Sequence, residues 1–144
     1  MHYVFDEIWP LRFGTFISTQ FFFSFISLHK CKESFVAYEN LLVGNIPSEI
    51  GNMKSLLWID LFGNVITGRI APEIFNTRAL ESLYLAGNRI SGSIPSQIMN
   101  AQNLVDLWLD DNYLTGSLPT EIGSLAKLSK SSSMNLLRYI LRKR

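Results

Sequence analysis

Trp58, Asp60 and Phe62 alternate with Ile59 and Leu61, and the alternation returns twice further along the chain. Ser82, Tyr84 and Ala86 alternate with Leu83 and Leu85; Asp106, Trp108 and Asp110 alternate with Leu107 and Leu109, and Asp111 follows. In an extended segment, residues that alternate with inward leucines stand on the opposite face. The types gathered there are rings and carboxylates, whose chemistry is recognition. Rings anchor a partner, and carboxylates favour one that is basic. The candidate ligand-binding residues are therefore Trp58, Asp60, Phe62, Ser82, Tyr84, Asp106, Trp108, Asp110 and Asp111. Leu57, Gly63, Glu81, Gly87 and Val105 flank them, and Glu33, Ser34, Val36, Tyr38 and Glu39 offer a fourth, incomplete row.

Seven of the 12 acidic residues of the chain fall on this face, and none of its 13 Lys/Arg does. The partner this implies is a protein or peptide of basic and apolar character. The plain alternative is that these residues are solvated and that rings stacked from row to row serve the sheet itself.

Catalytic and metal chemistry find little to work with. Cys31 is the single cysteine, and His2 and His29 are the only histidines. No intrachain disulfide and no cysteine-based zinc site can form. Neither a phosphate-binding glycine motif nor a nucleophile elbow is present. The expectation is a protein that is not an enzyme, with no catalytic residue, no metal and no cofactor. A net charge of +1 gives no argument for a nucleic-acid partner.

The elements that must position the rings and carboxylates follow from a 24-residue step. Asn40, Asn64, Asn88 and Asn112 keep that step, as do Gly44, Gly68, Gly92 and Gly116. Leu56, Leu80, Leu104 and Leu128 form one apolar column; Ile50, Ile74, Ile98 and Ile122 form another. Pro47, Pro95 and Pro119 align too, with Ala71 in the fourth place and Pro72 one residue late. A fixed period of this length means one structural unit stacked several times. In each unit the alternating segment reads as a short strand, the Asn-containing stretch as a turn, and the segment after proline as a short helical turn on the opposite side.

Three regions result. Residues 34–128 hold the repeats, complete at 56–79, 80–103 and 104–127. Residues 1–33 form an apolar N-terminal segment, with 16 uncharged residues from Phe13 to Leu28. That run is short for a membrane span of about 20 residues and closer to a signal-peptide core, although Asp6 and Glu7 stand where positive charge is expected. It reads as a signal or anchor, giving membrane association through 13–28, or as an apolar helix packed on the end of the solenoid. Residues 129–144 are a basic tail that could form a short helix; six of the 13 Lys/Arg lie between Lys127 and Arg144.

The columns spell LxxLxLxxNxLxGxIP over about residues 35–128, which resembles the plant-type leucine-rich repeat of receptor-like kinases, receptor-like proteins and polygalacturonase-inhibiting proteins. The resemblance implies an α/β leucine-rich-repeat solenoid. Its parallel β-sheet is concave, short helical or 3-10 turns line the convex side, and the LxGxIP segment adds a second, smaller strand. It implies that Asn40, Asn64, Asn88 and Asn112 are a structural ladder bonded to neighbouring coils. It further implies the secretory pathway, with an extracellular or plasma-membrane location.

The departures are specific. The paired-cysteine cap usual before the first repeat is missing, and Lys32 and Ala37 occupy inward columns. After Leu128 the leucine positions hold Ser131 and Ser133; no kinase domain and no Asn-x-Ser/Thr sequon are present. Four strands at about 4.8 Å spacing, each about 17 Å long, offer a face of roughly 250 Å². A stable interface needs about 800 Å² per partner. The leading expectation is a protein- or peptide-binding module that contributes part of a site, or works with a partner chain or further repeats. An enzyme inhibitor of the polygalacturonase-inhibiting kind, and a truncated repeat protein without independent function, are the alternatives.

Overall fold

Strands form where every second side chain is apolar and the residues between are not. The computed structural model describes residues 17–18 and 33–129. Its principal sheet is parallel and four-stranded, in the order β2 (Ser34–Val36), β4 (Trp58–Asp60), β6 (Ser82–Tyr84), β8 (Asp106–Trp108). Ser34 pairs with Trp58, Trp58 with Ser82, and Ser82 with Asp106, so the 24-residue step is the strand register itself. Backbone bonds between coils continue past the strand ends, as in Leu61 N–H to Tyr84 O at 2.8 Å and Gly63 N–H to Ala86 O at 3.0 Å.

A second set of strands lies after each asparagine. β3 (Leu42–Asn45) lies between β1 (Ile17–Ser18) and β5 (Val65–Thr67), and β7 (Ser91–Gly92) pairs with β9 (Tyr113–Leu114). A bridge between Arg69 and Ser91 connects the two groups. Here the step is 22 residues, since Val43 pairs with Val65 and Ser91 with Tyr113. Each coil is thus offset by two residues on this side, and the stack twists as parallel strands do.

On the far side, 3-10 turns span Ser48–Asn52, Pro72–Asn76, Ser96–Asn100 and Thr120–Ser124. Pro47, Pro95 and Pro119 occupy the residue before the turn, where extended φ and ψ are required and the missing N–H costs nothing. Ala71 takes the same extended conformation, and Pro72 simply becomes the first residue of its turn.

The apolar columns meet between the two layers. Leu56, Ile59, Leu61, Ile66, Ile74, Leu80, Leu83, Leu85, Ile98, Leu104 and Leu107 are fully buried. Each contributes about 1.5–3 kcal/mol by leaving water, which a single coil could not achieve alone. Phe35 and Ala37 fill inward positions of the first strand of this sheet, and Phe75 adds a buried ring. Burial weakens toward the last coil, where Leu118, Ile122 and Leu128 are only partly covered.

Asparagines hold the turns. Asn88 Oδ1 accepts from Ile66 N–H at 3.0 Å, and Nδ2 donates to Leu61 O at 2.9 Å and Leu85 O at 3.0 Å. Asn64 repeats the pattern with Leu42, Ala37 and Leu61, and Asn112 with Ile90, Leu85 and Leu109. Asn40 differs. It is exposed and donates to Tyr38 O at 2.8 Å. The 22-residue offset that supplies the other three with an amide donor points from Asn40 to Ser18. There Ile17 pairs with Leu42 at a step of 25, so β1 is out of that register.

Ile17–Ser18 also corrects one expectation. These residues lie inside the run expected as an apolar helix, yet they form a strand. The open edge of β3 presents unpaired backbone groups, and a parallel strand satisfies them where a helix could not. The rest of the expected N-terminal segment, and the basic tail from residue 130, lie outside the described residues. Among the described residues no helix is long and apolar enough to cross a membrane.

Candidate functional site

The principal sheet presents its non-leucine side as one continuous face. Register alignment makes Trp58, Ser82 and Asp106 neighbours across three strands; Asp60, Tyr84 and Trp108 form the next row. Trp58, Phe62 and Trp108 are each 39% exposed, so these large rings keep substantial area free for a partner. Tyr38, in the first coil, is 43% exposed. Ser82 and Ala86 are buried among these larger groups and form a floor.

The rings are in contact. The Trp58 and Tyr84 centroids are 5.6 Å apart with planes at 55°, and those of Tyr84 and Trp108 are 5.4 Å apart at 89°. The first contact is diagonal across β4 and β6, while the second joins residues directly opposite. Edge-to-face and tilted geometry suits the ring quadrupoles and adds about 0.5–1.5 kcal/mol per pair beyond area burial. The trio is therefore pre-arranged, with Trp58 and Trp108 exposed and Tyr84 half-buried between them.

Carboxylates surround it. The Tyr84 hydroxyl is 3.5 Å from Asp106 Oδ2, while Asp106 Oδ1 accepts from the Ser129 hydroxyl at 3.0 Å. Burial first, and then the Asp106 carboxylate, hold the Tyr84 phenol above its ordinary range. Asp60 Oδ1 accepts from Phe62 N–H at 3.1 Å. Burial nevertheless pushes the Asp60 carboxyl up, against that bond. Asp110 Oδ1 is buried without a hydrogen-bond partner, and Asp111 is exposed with φ at 50°. Two cations, Lys54 and Arg78, lie on the opposite, 3-10 side, where they line a shallow cleft with Asn76 and Asn100.

Six of the nine predicted binding residues, Trp58, Asp60, Ser82, Tyr84, Asp106 and Trp108, thus share one face by strand register, and the other three follow the strand ends. Trp58, Asp60, Tyr84, Asp106 and Trp108 form its connected centre; Phe62, Asp110 and Asp111 lie toward the turn end, and Ser82 lies beneath. Ser129 was not among them. Its backbone N–H bonds to Val105 O at 2.8 Å, repeating the bond from Val105 N–H to Glu81 O one coil earlier. The 24-residue step from Val105 was the signal that could have found it. Among the described residues no group of three His, Cys, Asp or Glu side chains is arranged to hold a metal ion.

Comparison with known proteins places this geometry. A family model described as Leucine Rich Repeat matches residues 79–101 and 103–125. No curated protein sequence matches the chain. Among solved structures, the plant peptide hormone receptor RGFR1 in complex with RGF2 is 40% identical over 69% of this chain and 16% of that one, with a TM-score of 0.67. The leucine-rich-repeat ectodomain of the membrane receptor kinase GASSHO1/SCHENGEN3 from Arabidopsis thaliana, in complex with CASPARIAN STRIP INTEGRITY FACTOR 2, is 36% identical. That match covers 72% of this chain and 12% of the other, with a TM-score of 0.69. The Arabidopsis receptor kinase HAESA, in complex with the peptide hormone IDA and the co-receptor SERK1, is 35% identical over 67% of this chain and 16% of that one, with a TM-score of 0.65. The chain therefore spans about one-eighth to one-sixth of the length of these three relatives. The repeat consensus, the twin parallel strand sets, the bonded asparagines and these matches agree: the chain is a leucine-rich-repeat protein of the plant type.

Proposed function

We propose that the concave face of this solenoid binds an extended protein or peptide segment of basic and apolar character. The observation that carries this reading is the composition of the face. The register assigns seven carboxylates to it beside a contacting trio of rings, and among the described residues no Lys or Arg stands in its strand rows. Rings at such a density act as anchors, and a field of one sign steers and selects a partner of the other. Two of the related structures are described as receptors of peptide hormones, which supports the class of partner. Those relatives are plant receptors, one of them named as a membrane receptor kinase ectodomain. An extracellular setting in the secretory pathway accords with that. The described face is small against the roughly 800 Å² of a stable interface, so it contributes one section of a larger site.

Selection of random nonapeptides against the full chain tests the reading. Enriched sequences should carry excess Lys and Arg with apolar neighbours. Replacing Trp58, Tyr84 and Trp108 together by alanine should abolish their binding, while Lys54→Ala on the other side should not. Enrichment of acidic peptides, or binders indifferent to the triple replacement, would contradict it.

A further inference from the structure

Among the described residues of the face, Tyr84 is the ring that touches two others, and its hydroxyl reaches the Asp106 carboxylate. Trp58 stands diagonally from it at 55°, and Trp108 stands opposite at 89°. Asp60 pairs with Tyr84 in the strand register, and Asp106 Oδ2 lies 3.5 Å from its hydroxyl. Two exposed indoles set at an angle to a half-buried phenol between them, flanked by two carboxylates, form an environment for a flat cation. We infer that this cluster is the docking point for a single arginine side chain of the bound segment, with its guanidinium against the rings of Trp58, Tyr84 and Trp108 and its charge balanced by Asp60 and Asp106. This rests on the reading of the concave face as a binding surface and assigns the residue type that anchors it.

Four considerations favour a cation here, the first of them arginine over lysine. Its guanidinium is planar and weakly hydrated, so it stacks on rings at little desolvation cost, whereas lysine carries a compact, strongly hydrated charge. Cation–π attraction is greatest with tryptophan, and two of the three rings are indoles. Charge complementarity is local as well as global: among the described residues the cations Lys54, Arg69, Arg78, Arg89 and Lys127 all fall outside the strand rows. The half-burial of Asp60 also matters. A carboxylate that burial disfavours in its charged form gains most from an incoming cation.

The test uses N-acetyl-arginine methylamide as the probe, titrated into the full chain while the indole N–H signals of Trp58 and Trp108 are followed by NMR. The arginine derivative should shift both signals with millimolar affinity. The citrulline derivative, which has the same shape without the charge, should bind at least about tenfold more weakly. Asp60→Asn with Asp106→Asn should weaken arginine binding by about tenfold or more, while Tyr84→Phe, which keeps the ring, should change it less than about threefold. Equal binding of citrulline and arginine, stronger binding of the lysine derivative, or no shift at either indole would overturn the assignment. If the indoles stay still while selected peptides remain sensitive to the triple alanine replacement, the arginine anchor fails and the concave-face reading stands. If both measurements fail, both are wrong.

Discussion

The Tyr84 hydroxyl stands 3.5 Å from the Asp106 carboxylate, across the gap between two strands that the 24-residue step sets side by side. A bond between coils thus joins the two chemistries of the face, ring and carboxylate. The same step that stacks the leucines beneath also brings Trp58 and Trp108 to either side of Tyr84. Fold and candidate site therefore share one geometric cause, and substitutions can separate their contributions.

Asn88 bonds one amide and three carbonyls, those of Leu61, Leu85 and Ala86, all buried. Replacement by alanine leaves the buried Ile66 N–H without its acceptor, at about 1–3 kcal/mol, while the Leu61 and Leu85 carbonyls keep the Asn64 and Asn112 amides as donors. Asn88→Ala should therefore lose about 1–3 kcal/mol in urea unfolding. Asn40→Ala, at an exposed position with one local bond, should change stability by less than about 0.5 kcal/mol. Equal losses at the two sites would show that the buried network is not what holds the turns.

Thr77 is fully buried and its hydroxyl has no partner. The equivalent residues one coil away on either side are Met53 and Ala101, both apolar. Thr77→Val keeps the shape and removes the unsatisfied group, so it should raise stability by about 1 kcal/mol. A loss of comparable size on thermal or urea unfolding would mean that the hydroxyl finds a partner in solution.

Glu39, Gly63, Gly87 and Asp111 occupy the same place in successive coils, and all have positive φ, at 51°, 66°, 68° and 50°. The two side chains are strained there and the two glycines are not, because a Cβ crowds the carbonyl in the left-handed region. Glu39→Gly should therefore stabilise by about 1 kcal/mol, with Gly63→Ala losing about as much or more. A Cβ at Gly63 would in addition meet Glu39 Cγ at 3.3 Å. No gain from Glu39→Gly in the unfolding midpoint would show that the glutamate makes a compensating contact.

Asp60 is held above its ordinary carboxylate range by burial. The folded state then binds its proton more tightly than the unfolded state does. Its contribution to stability is greatest at acid pH and falls as pH rises through the interval between the unfolded value and the raised folded one. Asp60→Asn should remove that fall, so the variant and the parent should diverge in favour of the variant above the interval. Parallel stability profiles across acid pH would exclude Asp60 as the titrating group.

Most of the scaffold was legible because its cause is local and repeated. Leu56, Leu80 and Leu104 announce an inward column by spacing alone, and Asn64 and Asn88 sit where a turn must close. The face was legible for the same reason, since whatever alternates with inward leucines must point the other way. What the sequence concealed depends on contacts without a period. Nothing in the Phe13–Leu28 run separates a strand at Ile17–Ser18 from a helix, because the choice is made by the free edge of β3. Asn40 matches its column in type and spacing, yet the irregular first coil leaves it without the partners of Asn88. The contact from Ser129 to Asp106 needed the register extended beyond the last complete repeat. The contact between the Trp58 and Tyr84 rings needed side-chain directions as well as positions.

The most direct measurement is the affinity of a basic peptide, selected on the parent chain, for the chain in which Trp58, Tyr84 and Trp108 are alanine. Three anchors in one contacting cluster imply a loss of at least about 100-fold, with the parent complex weakening further as salt is raised. Unfolding of the variant by urea would confirm that it remains folded. An affinity unchanged within about threefold in a folded triple variant would contradict the concave face as the binding surface.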